Sequence, residues 1–305
     1  MKVKADGDFG EWISVGGNQL YPGYIIKGKK QHLMIDAGMN LMGPAYIASL
    51  EKIFGDKNAL DYVFATHSHF DHLGSIPYLK RKVPELKAGA FERVGTLMKK
   101  KSVLDLMTTL SELQRGFYQN IVGDEDVRIE PVDFEFNLKE GDRFDLGGVT
   151  CEVYEVPGHT SDSLAFFVPE IRALFAGEAC GLPESDMNSN VKTEFLSSYD
   201  EYVVSLEKLI KLQPKLIGMA HLWVFTDDDA TDFLQRSIEA APNYRNLIET
   251  YLDAANGDID NAIKNMAKEE YDTKRKIAQP RESYLENLKA QVRHVASRTT
   301  ADGSK

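Results

Sequence analysis

The stretch that most constrains this chain is the sequence THSHFDHLG at residues 66–74, which holds three of the seven histidines. His67 and His69 are two positions apart in a predicted extended segment, so their imidazoles point to one side and can share one metal ion. Asp71 and His72 follow on a predicted turn. Because adjacent side chains diverge, these two reach a second ion more naturally than the first. The run therefore predicts a site for two metals.

The neighbours of this run distinguish a buried site from the alternative, a solvated histidine-rich surface tract. An apolar, strand-like segment at residues 60–65 leads directly into the histidines. Apolar residues then recur at helical spacing, at Leu73, Ile76 and Leu79. This order of strand, loop and helix favours the metal site.

The overall charge limits the kinds of partner. The 305 residues carry a formal net charge of -11, which argues against broad contact with nucleic acid backbones or anionic membranes. The compact basic run at residues 99–101 is expected to lie on the solvent-exposed face of a helix. We expect a small-molecule substrate, no nucleic acid partner and no membrane partner, and we consider a homodimer as the oligomeric state.

Two further features concern the compartment. The amino terminus lacks the apolar stretch of a secretory signal, and no run of about 18 uninterrupted apolar residues occurs. We therefore expect a cytoplasmic protein. Cys151 and Cys180 are too few for a disulfide framework and lie among strand-like apolar neighbours, so we predict free thiols in the core.

Three more residues with metal-binding side chains follow apolar, strand-like segments: His159, Glu178 and His221. These segments are residues 149–156, 173–176 and 216–220. Taken singly, such residues are more often structural, but their shared placement after strands favours a common site. Asp36 ends a strand-like segment in the same way, and it either supports a nearby site or caps the next turn.

Helical periodicity dominates two other regions. Within residues 91–121, apolar residues recur at intervals of four, three and four, at Leu106, Leu110, Leu113 and Phe117. This region is either scaffold or a lid, because periodicity does not show what a helix packs against. From residue 226 onward glycine is scarce and the pattern is helical. We predict a catalytic domain at residues 1–225 and a helical extension at residues 226–305 that packs over the active-site edge.

Together these residues make the sequence resemble the metallo-β-lactamase-fold hydrolases over roughly residues 10–225. The family's motifs occur in order: Asp-x-Gly at 36–38, Thr-His-x-His-x-Asp-His at 66–72, Pro-Gly-His-Thr at 157–160, Gly177-Glu178 and His221. The resemblance implies an α/β (α+β) fold, an αββα sandwich with metals at one edge between two sheets. The helical extension is similar in organisation to the glyoxalase II and quinolone-signal thioesterase branches.

The resemblance also implies how the ligands divide between the metals. The first metal would be held by His67, His69 and His159, and the second by Asp71, His72 and His221, with Glu178 between them. Two cations about 3.5–4 Å apart lower the pKa of a shared water, so that a bridging hydroxide acts as the nucleophile at neutral pH. Asp71 would orient it. We expect two divalent ions, zinc foremost, with iron or manganese as alternatives.

Two positions depart from the family pattern. The residue between the metals is usually aspartate, and Glu178 is one methylene longer, which would widen the metal separation, change the preferred ion or restrict the residue to one metal. The late histidine is often flanked by glycines, whereas Ala220 and Leu222 flank His221. Neither departure removes a metal donor.

The substrate pocket is less defined by sequence. Candidate lining residues are Phe195, Tyr199, Trp223 and Tyr284, and core packing is the alternative for each. Glu184 and Asp186 are further acidic candidates, which loop solvation explains equally well. The sequence predicts a dinuclear hydrolase of a small ester, thioester or lactone. The alternatives are a phosphodiesterase or sulfatase on the same centre, and a metal-binding regulatory protein with little turnover.

Overall fold

The computed structural model of the chain describes residues 1–183, 191–277 and 279–302. The strands are β1 (Lys2–Lys4), β2 (Asp8–Phe9), β3 (Ile13–Gly17), β4 (Pro22–Lys27), β5 (His32–Ile35), β6 (Tyr62–Phe64), β7 (Lys87–Phe91), β8 (Phe136–Leu138), β9 (Arg143–Asp145), β10 (Thr150–Glu155), β11 (Leu164–Val168), β12 (Ala173–Phe175), β13 (Leu182–Pro183), β14 (Val191–Lys192), β15 (Leu216–Gly218) and β16 (Trp223–Thr226). The α-helices are α1 (Gly43–Phe54), α2 (Phe70–Leu73), α3 (Ile76–Lys82), α4 (Glu92–Leu97), α5 (Lys101–Glu112), α6 (Arg115–Val122), α7 (Tyr199–Lys211), α8 (Asp228–Ala254), α9 (Ile259–Met266) and α10 (Arg281–Asp302). Short 3₁₀ helices lie at Asn40–Met42, Lys57–Ala59 and Gly177–Cys180, and a π-helical segment lies at Ala267–Thr273.

The first of two compact units consists of Met1–Glu155, Asp162–Gly177 and Pro214–Ala230, and it contains two seven-stranded sheets. One sheet has the order β2-β3-β4-β5-β6-β7-β8, and the other has the order β1-β16-β15-β12-β11-β10-β9. Neighbours from β5 to β8 pair in parallel, as do β12 and β15, and the other neighbours are antiparallel. The predicted α/β fold with two sheets and carboxy-terminal helices is confirmed.

Strands β4, β5 and β6 send alternate side chains into two hydrophobic cores of this unit. One core lies between the sheets and includes Ile26, Ile35, Phe64, Val153, Phe166 and Phe175. The other joins the opposite face of the first sheet to α1 and α3 and includes Ile25, Met34, Val63, Tyr46, Leu50 and Leu79. Because both faces of these strands are buried, their sequences are nearly continuous apolar runs.

The second compact unit consists of Val156–Ser161, Glu178–Gln213 and the chain from Thr231 onward. It contains α7, most of α8, and the whole of α9 and α10. Two short segments from the middle of the chain therefore share a unit with the carboxy-terminal helices. The predicted domain boundary between residues 225 and 226, and the packing of the extension over the active-site edge, stay predictions.

Two details of secondary structure differ from the sequence pattern. Strand β16 pairs with β1 at the amino terminus, with Val224 opposite Val3, and neither strand was predicted. Three of the four periodic apolar residues are exposed, at 59% for Leu106 in α5, 66% for Leu113 directly after it and 87% for Phe117 in α6, and the fourth, Leu110, is half-buried. The packed face of α5 is instead formed by Leu104, Met107 and Ser111. The interval between apolar residues thus identified the helices but not the face that meets the core.

Both cysteines are buried thiols outside any disulfide, as predicted. Burial, together with the charge of Glu178, raises the pKa of Cys180 to about 12, so this thiol stays protonated at neutral pH. Among the helices described here, none combines the length and the apolar character needed to cross a bilayer.

Candidate metal centre

The carboxylate of Asp36 lies at the base of the histidine run. Asp36 follows β5 and the run follows β6, so the parallel pairing of these strands places both at one edge of the sheet. The backbone N–H of Thr66 donates to Asp36 Oδ1 at 2.7 Å, and the Thr66 hydroxyl donates to Oδ2 at 2.9 Å. Nδ1 of His72 lies 2.8 Å from the same Oδ2. Of the two interpretations of Asp36, the structure therefore supports the one in which it serves a nearby site.

Around this carboxylate the first compact unit gathers five of the predicted ligands, namely His67, His69, Asp71, His72 and His221. The ring centroid of His67 lies 4.6 Å from that of His69 and 4.3 Å from that of His72. The rings of His72 and His221 are 5.5 Å apart, and His221 Nε2 lies 3.7 Å from Asp71 Oδ2. Donor atoms of Asp71, His72 and His221 all lie within 4.8 Å of one another.

Hydrogen bonds at Nδ1 indicate which ring nitrogen of His67, His72 and His221 remains for a metal. The single proton of the Thr66 hydroxyl goes to Asp36, so this oxygen accepts from His67 Nδ1 at 3.0 Å. The Nδ1 atom of His72 faces Asp36, and that of His221 lies 2.6 Å from the carbonyl oxygen of Leu20. These acceptors place the proton on Nδ1 and leave Nε2 as the nitrogen that could bind a metal. This donor set of neutral imidazoles and carboxylates fits a divalent zinc-like ion.

A second carboxylate holds the middle of the histidine run. Asp162, which is almost fully buried, accepts from the backbone N–H of Ser68 at 3.3 Å and from the Ser68 hydroxyl at 3.2 Å. Ser68 lies between the predicted ligands His67 and His69. Asp162 therefore restrains the loop on which both imidazoles are carried.

The segment around His221 is held by aromatic and backbone contacts. The ring of Tyr21 packs edge-on against the imidazole of His221, with centroids 5.8 Å apart. Burial and the nearby charge of Asp71 raise the pKa of Tyr21, so its phenol stays protonated and donates to Gln114 Oε1 at 2.9 Å. Leu222, next in the chain, has a left-handed backbone with φ of 65°, and its N–H donates to Gln19 O at 2.6 Å.

The second compact unit contains the other two predicted ligands. His159 and Glu178 are both buried, and His159 Nε2 lies 3.9 Å from Glu178 Oε2. The Nδ1 atom of His159 lies 2.6 Å from the carbonyl oxygen of Glu194, so Nε2 is again the nitrogen left for a metal. Gly158, just before this histidine, has φ of +130° and leaves no room for a side chain against Tyr202.

Three of the predicted pocket residues are buried in the second unit. Phe195 packs edge-on against Tyr199 and is fully buried, and Tyr284 packs on Tyr271. Trp223, in the first unit, is half-buried on β16 with Lys4 Nζ 3.6 Å from its ring centroid. Core packing is thus present for the three residues of the second unit, and the roles of all four in substrate binding stay predictions. Glu184 and Asp186 lie outside the described residues.

Sequence reasoning did not single out Asp162, Glu194 or Tyr21. Asp162 had a local signal, since it stands two residues after the Pro-Gly-His-Thr motif. Glu194 acts here through its backbone carbonyl, which any residue type supplies, and Tyr21 contacts a histidine 200 positions away. Neither contact leaves a pattern in the sequence.

Known proteins similar to this chain identify its family. The family described as the Metallo-beta-lactamase superfamily matches residues 22–221. The metallo-beta-lactamase fold-containing protein ST1585 of Sulfurisphaera tokodaii is 30% identical over 202 residues, which are 65% of this chain and 71% of that protein. An atrochrysone carboxyl ACP thioesterase of Cryptosporiopsis sp. is 26% identical over 155 residues, which are 51% of this chain and 37% of the thioesterase.

The fold of the chain also matches that of a solved structure. The metallo-beta-lactamase family protein TTHA1429 from Thermus thermophilus superimposes with a TM-score of 0.65 at 16% identity, over 99% of this chain and 94% of that one. At this identity the likeness concerns the fold alone. The family match, in contrast, spans the whole series of motifs from the strand before Asp36 to His221. The chain belongs to the metallo-beta-lactamase superfamily of metal-dependent hydrolases.

Proposed function

We propose that this protein is a dinuclear metal-dependent hydrolase of a small thioester, with small esters and lactones as related substrates. The observation that carries the proposal is the convergence of Asp71, His72 and His221, whose donor atoms lie within 4.8 Å of one another. Their imidazoles keep Nε2 for a metal because Nδ1 is engaged. A structural histidine cluster would not need this shared tautomer.

For the complete centre we assign the ligands by the order of the family's motifs. One metal is assigned to His67, His69 and His159, and the other to Asp71, His72 and His221, with Glu178 between them. The burial of His159 and Glu178 and the engaged Nδ1 of His159 support their part in it. Zinc is our first choice of metal for these donors, with iron or manganese next.

Two bound divalent cations would supply a water of lowered pKa and an electrophile for a carbonyl oxygen. The chain's own groups then position and transfer protons. Asp71, which is half-buried beside His221, is the carboxylate placed to orient the attacking water and to hold its proton. Asp36 keeps His72 in one orientation, and Asp162 keeps the His67 to His69 loop in place.

The choice of a thioester rests on two observations. One of the relatives is named as a thioesterase of an acyl carrier protein, and thiolates are good leaving groups for a hydrolase of this kind. The net charge of -11 disfavours polyanionic substrates such as nucleic acids, because the surface repels them. A small acyl thioester has a thiolate leaving group and is not a polyanion.

The test is a substrate panel on protein reconstituted with zinc, iron or manganese. It contains acyl thioesters of N-acetylcysteamine, nitrophenyl esters, lactones, nitrophenyl phosphodiesters and a sulfate ester. We expect thioesters to be cleaved fastest, and His69→Ala to abolish the activity. His32→Ala is the matched control, because His32 stacks on Phe54 with ring centroids 4.3 Å apart and takes no part in the centre.

Other outcomes would identify the rival functions. Fastest cleavage of phosphodiesters or the sulfate ester would replace the proposal with a phosphodiesterase or sulfatase. Metal binding without turnover of any class would favour a regulatory metal-binding protein. Equal loss of activity in His69→Ala and His32→Ala would contradict the assignment of the site.

A further inference from the structure

Helix α10 directs a row of polar side chains inward. Asn287, Gln291 and His294 are spaced by four and three residues and so lie on one face of the helix. Asn287 Nδ2 donates to Glu194 Oε2 at 3.2 Å, and Gln291 Nε2 donates to Thr193 O at 2.9 Å. The N–H of Tyr199, at the start of α7, donates to His294 Nε2 at 3.0 Å. One face of α10 therefore makes hydrogen bonds to three residues of the segment 193–199.

The same segment holds the loop that carries His159. The carbonyl oxygen of Glu194 lies 2.6 Å from His159 Nδ1. The N–H groups of Leu196 and Ser197 both donate to the carbonyl oxygen of Gly158, at 3.1 and 3.0 Å. Residues 193–199 thus connect α10 to a predicted metal ligand through a continuous series of hydrogen bonds.

The orientation of the Gln291 amide is set by a third residue. The hydroxyl of Tyr244 donates to Gln291 Oε1 at 2.9 Å, so the amide nitrogen must face Thr193 O. Burial raises the pKa of Tyr244, which keeps its proton in place. Gln291 is only 1% exposed, and a buried amide with both ends engaged leaves its partners little freedom.

The Glu194 side chain is held as firmly as its carbonyl. Its carboxylate is 1% exposed and pairs with Lys192 Nζ as well as with Asn287. Lys192 Nζ in turn donates to Gln279 Oε1 at 2.6 Å. Because a buried carboxylate that loses a partner is costly, this network resists rotation of the Glu194 backbone.

We propose that Gln291 and Asn287 are positioning residues for His159: by holding Thr193 and Glu194 they fix the carbonyl that keeps the His159 proton on Nδ1 and directs Nε2 toward a metal. The proposal rests on the proposed function in that it takes His159 as a ligand. It assigns to the carboxy-terminal helix a role in metal binding that no motif of the sequence indicates.

The test compares Gln291→Met and Asn287→Leu with Leu288→Val in the full-length protein. All three substitutions lie on α10, but Leu288 is a fully buried apolar residue and makes no hydrogen bond to residues 193–194. Zinc affinity is measured by competition with a chelator, and the free energy of unfolding by urea denaturation. In the metal-free proteins, the ¹⁵N shifts of the His159 ring report its tautomer.

We expect Gln291→Met and Asn287→Leu each to weaken zinc binding by about tenfold, in the range found for residues that orient a ligand, and to lower the fraction of His159 with its proton on Nδ1. Leu288→Val is expected to lower stability and leave both readouts at their wild-type values. An unchanged His159 tautomer in both polar variants would overturn the proposal, as would an equal loss of zinc affinity in Leu288→Val. The tautomer is read without metal or substrate, so failure to hydrolyse thioesters would count against the proposed function and not against this role of α10.

Discussion

Oδ2 of Asp36 lies 2.8 Å from His72 Nδ1 and also accepts the hydroxyl proton of Thr66 at 2.9 Å. One carboxylate thereby orients one imidazole directly and a second, that of His67, through the Thr66 hydroxyl. Asp36 adopts a left-handed backbone with φ of 60°, a conformation that costs a non-glycine residue free energy. The contacts to Thr66 and His72 offset that cost.

Replacing Asp36 tests this arrangement. Asp36→Asn removes the charge and presents an N–H₂ group to donors that need an acceptor, so we expect zinc affinity to fall by about 10- to 100-fold. Asp61→Asn is the control, because Asp61 Oδ2 accepts the N–H of His32 at 2.7 Å on the same sheet, away from the histidine cluster. Chelator competition measures both. Wild-type affinity in Asp36→Asn would contradict the support role.

The contact between Asp162 and Ser68 makes a prediction about stability. Asp162→Ala leaves two donors of Ser68 without their acceptor, so we expect the free energy of unfolding to fall by about 1–3 kcal/mol. Ser68→Ala removes only the hydroxyl contact and is expected to cost about 1 kcal/mol. Because the two share one interaction, the double variant should cost less than the sum. Urea denaturation of the four proteins measures the coupling, and strict additivity would show that the hydroxyl contact between Ser68 and Asp162 contributes nothing.

Gly55 and Gly158 allow the cost of backbone strain to be compared with the cost of a steric clash. Gly55 and Gly158 both have positive φ, at 74° and 130°. A Cβ at Gly158 would lie 2.3 Å from the Cα of Tyr202, whereas a Cβ at Gly55 meets nothing within 4 Å. We expect Gly55→Ala to cost about 1 kcal/mol and Gly158→Ala about 3 kcal/mol of unfolding free energy. Equal losses, measured by urea denaturation, would mean that the His159 loop can move away from α7.

Stability should also depend on the protonation of His294. Burial, followed by the charge of Arg298, lowers the pKa of His294 below 6.5 in the folded state. Below pH 6.5 the unfolded chain binds this proton more readily than the folded protein does. The stabilisation that is present above pH 6.5 is therefore lost as the pH falls toward the pKa of His294 in the folded state. Protonation also removes the acceptor for the N–H of Tyr199. We expect the free energy of unfolding to decline as the pH falls below about 6.5, and the decline to be shallower in His294→Gln. Identical slopes for the two proteins would rule out this contribution.

The residues of the candidate metal centre could be picked out of the sequence because metal binding demands particular side chains at particular spacings, and their role as ligands stays a prediction. Histidine, aspartate and glutamate are the residue types that bind such metals, and each of them follows an apolar strand whose pattern is local in sequence. The seven residues from His67 to His221 were identified on that basis. The helices were recognised for the same reason, since a period near 3.6 is visible within a few turns.

What the sequence by itself determined is therefore the set of candidate donors, their order and the strands that precede them. Only the tertiary structure decided how those donors are oriented: Leu20 O meets His221, Glu194 O meets His159, and Asp162 meets Ser68. It also decided that β16 pairs with β1 and that most of the apolar stripe of α5 and α6 is exposed. These relationships join residues far apart in the chain, and several use backbone carbonyls that every residue has. A local pattern cannot encode them, because they exist only once the remote segments have packed together.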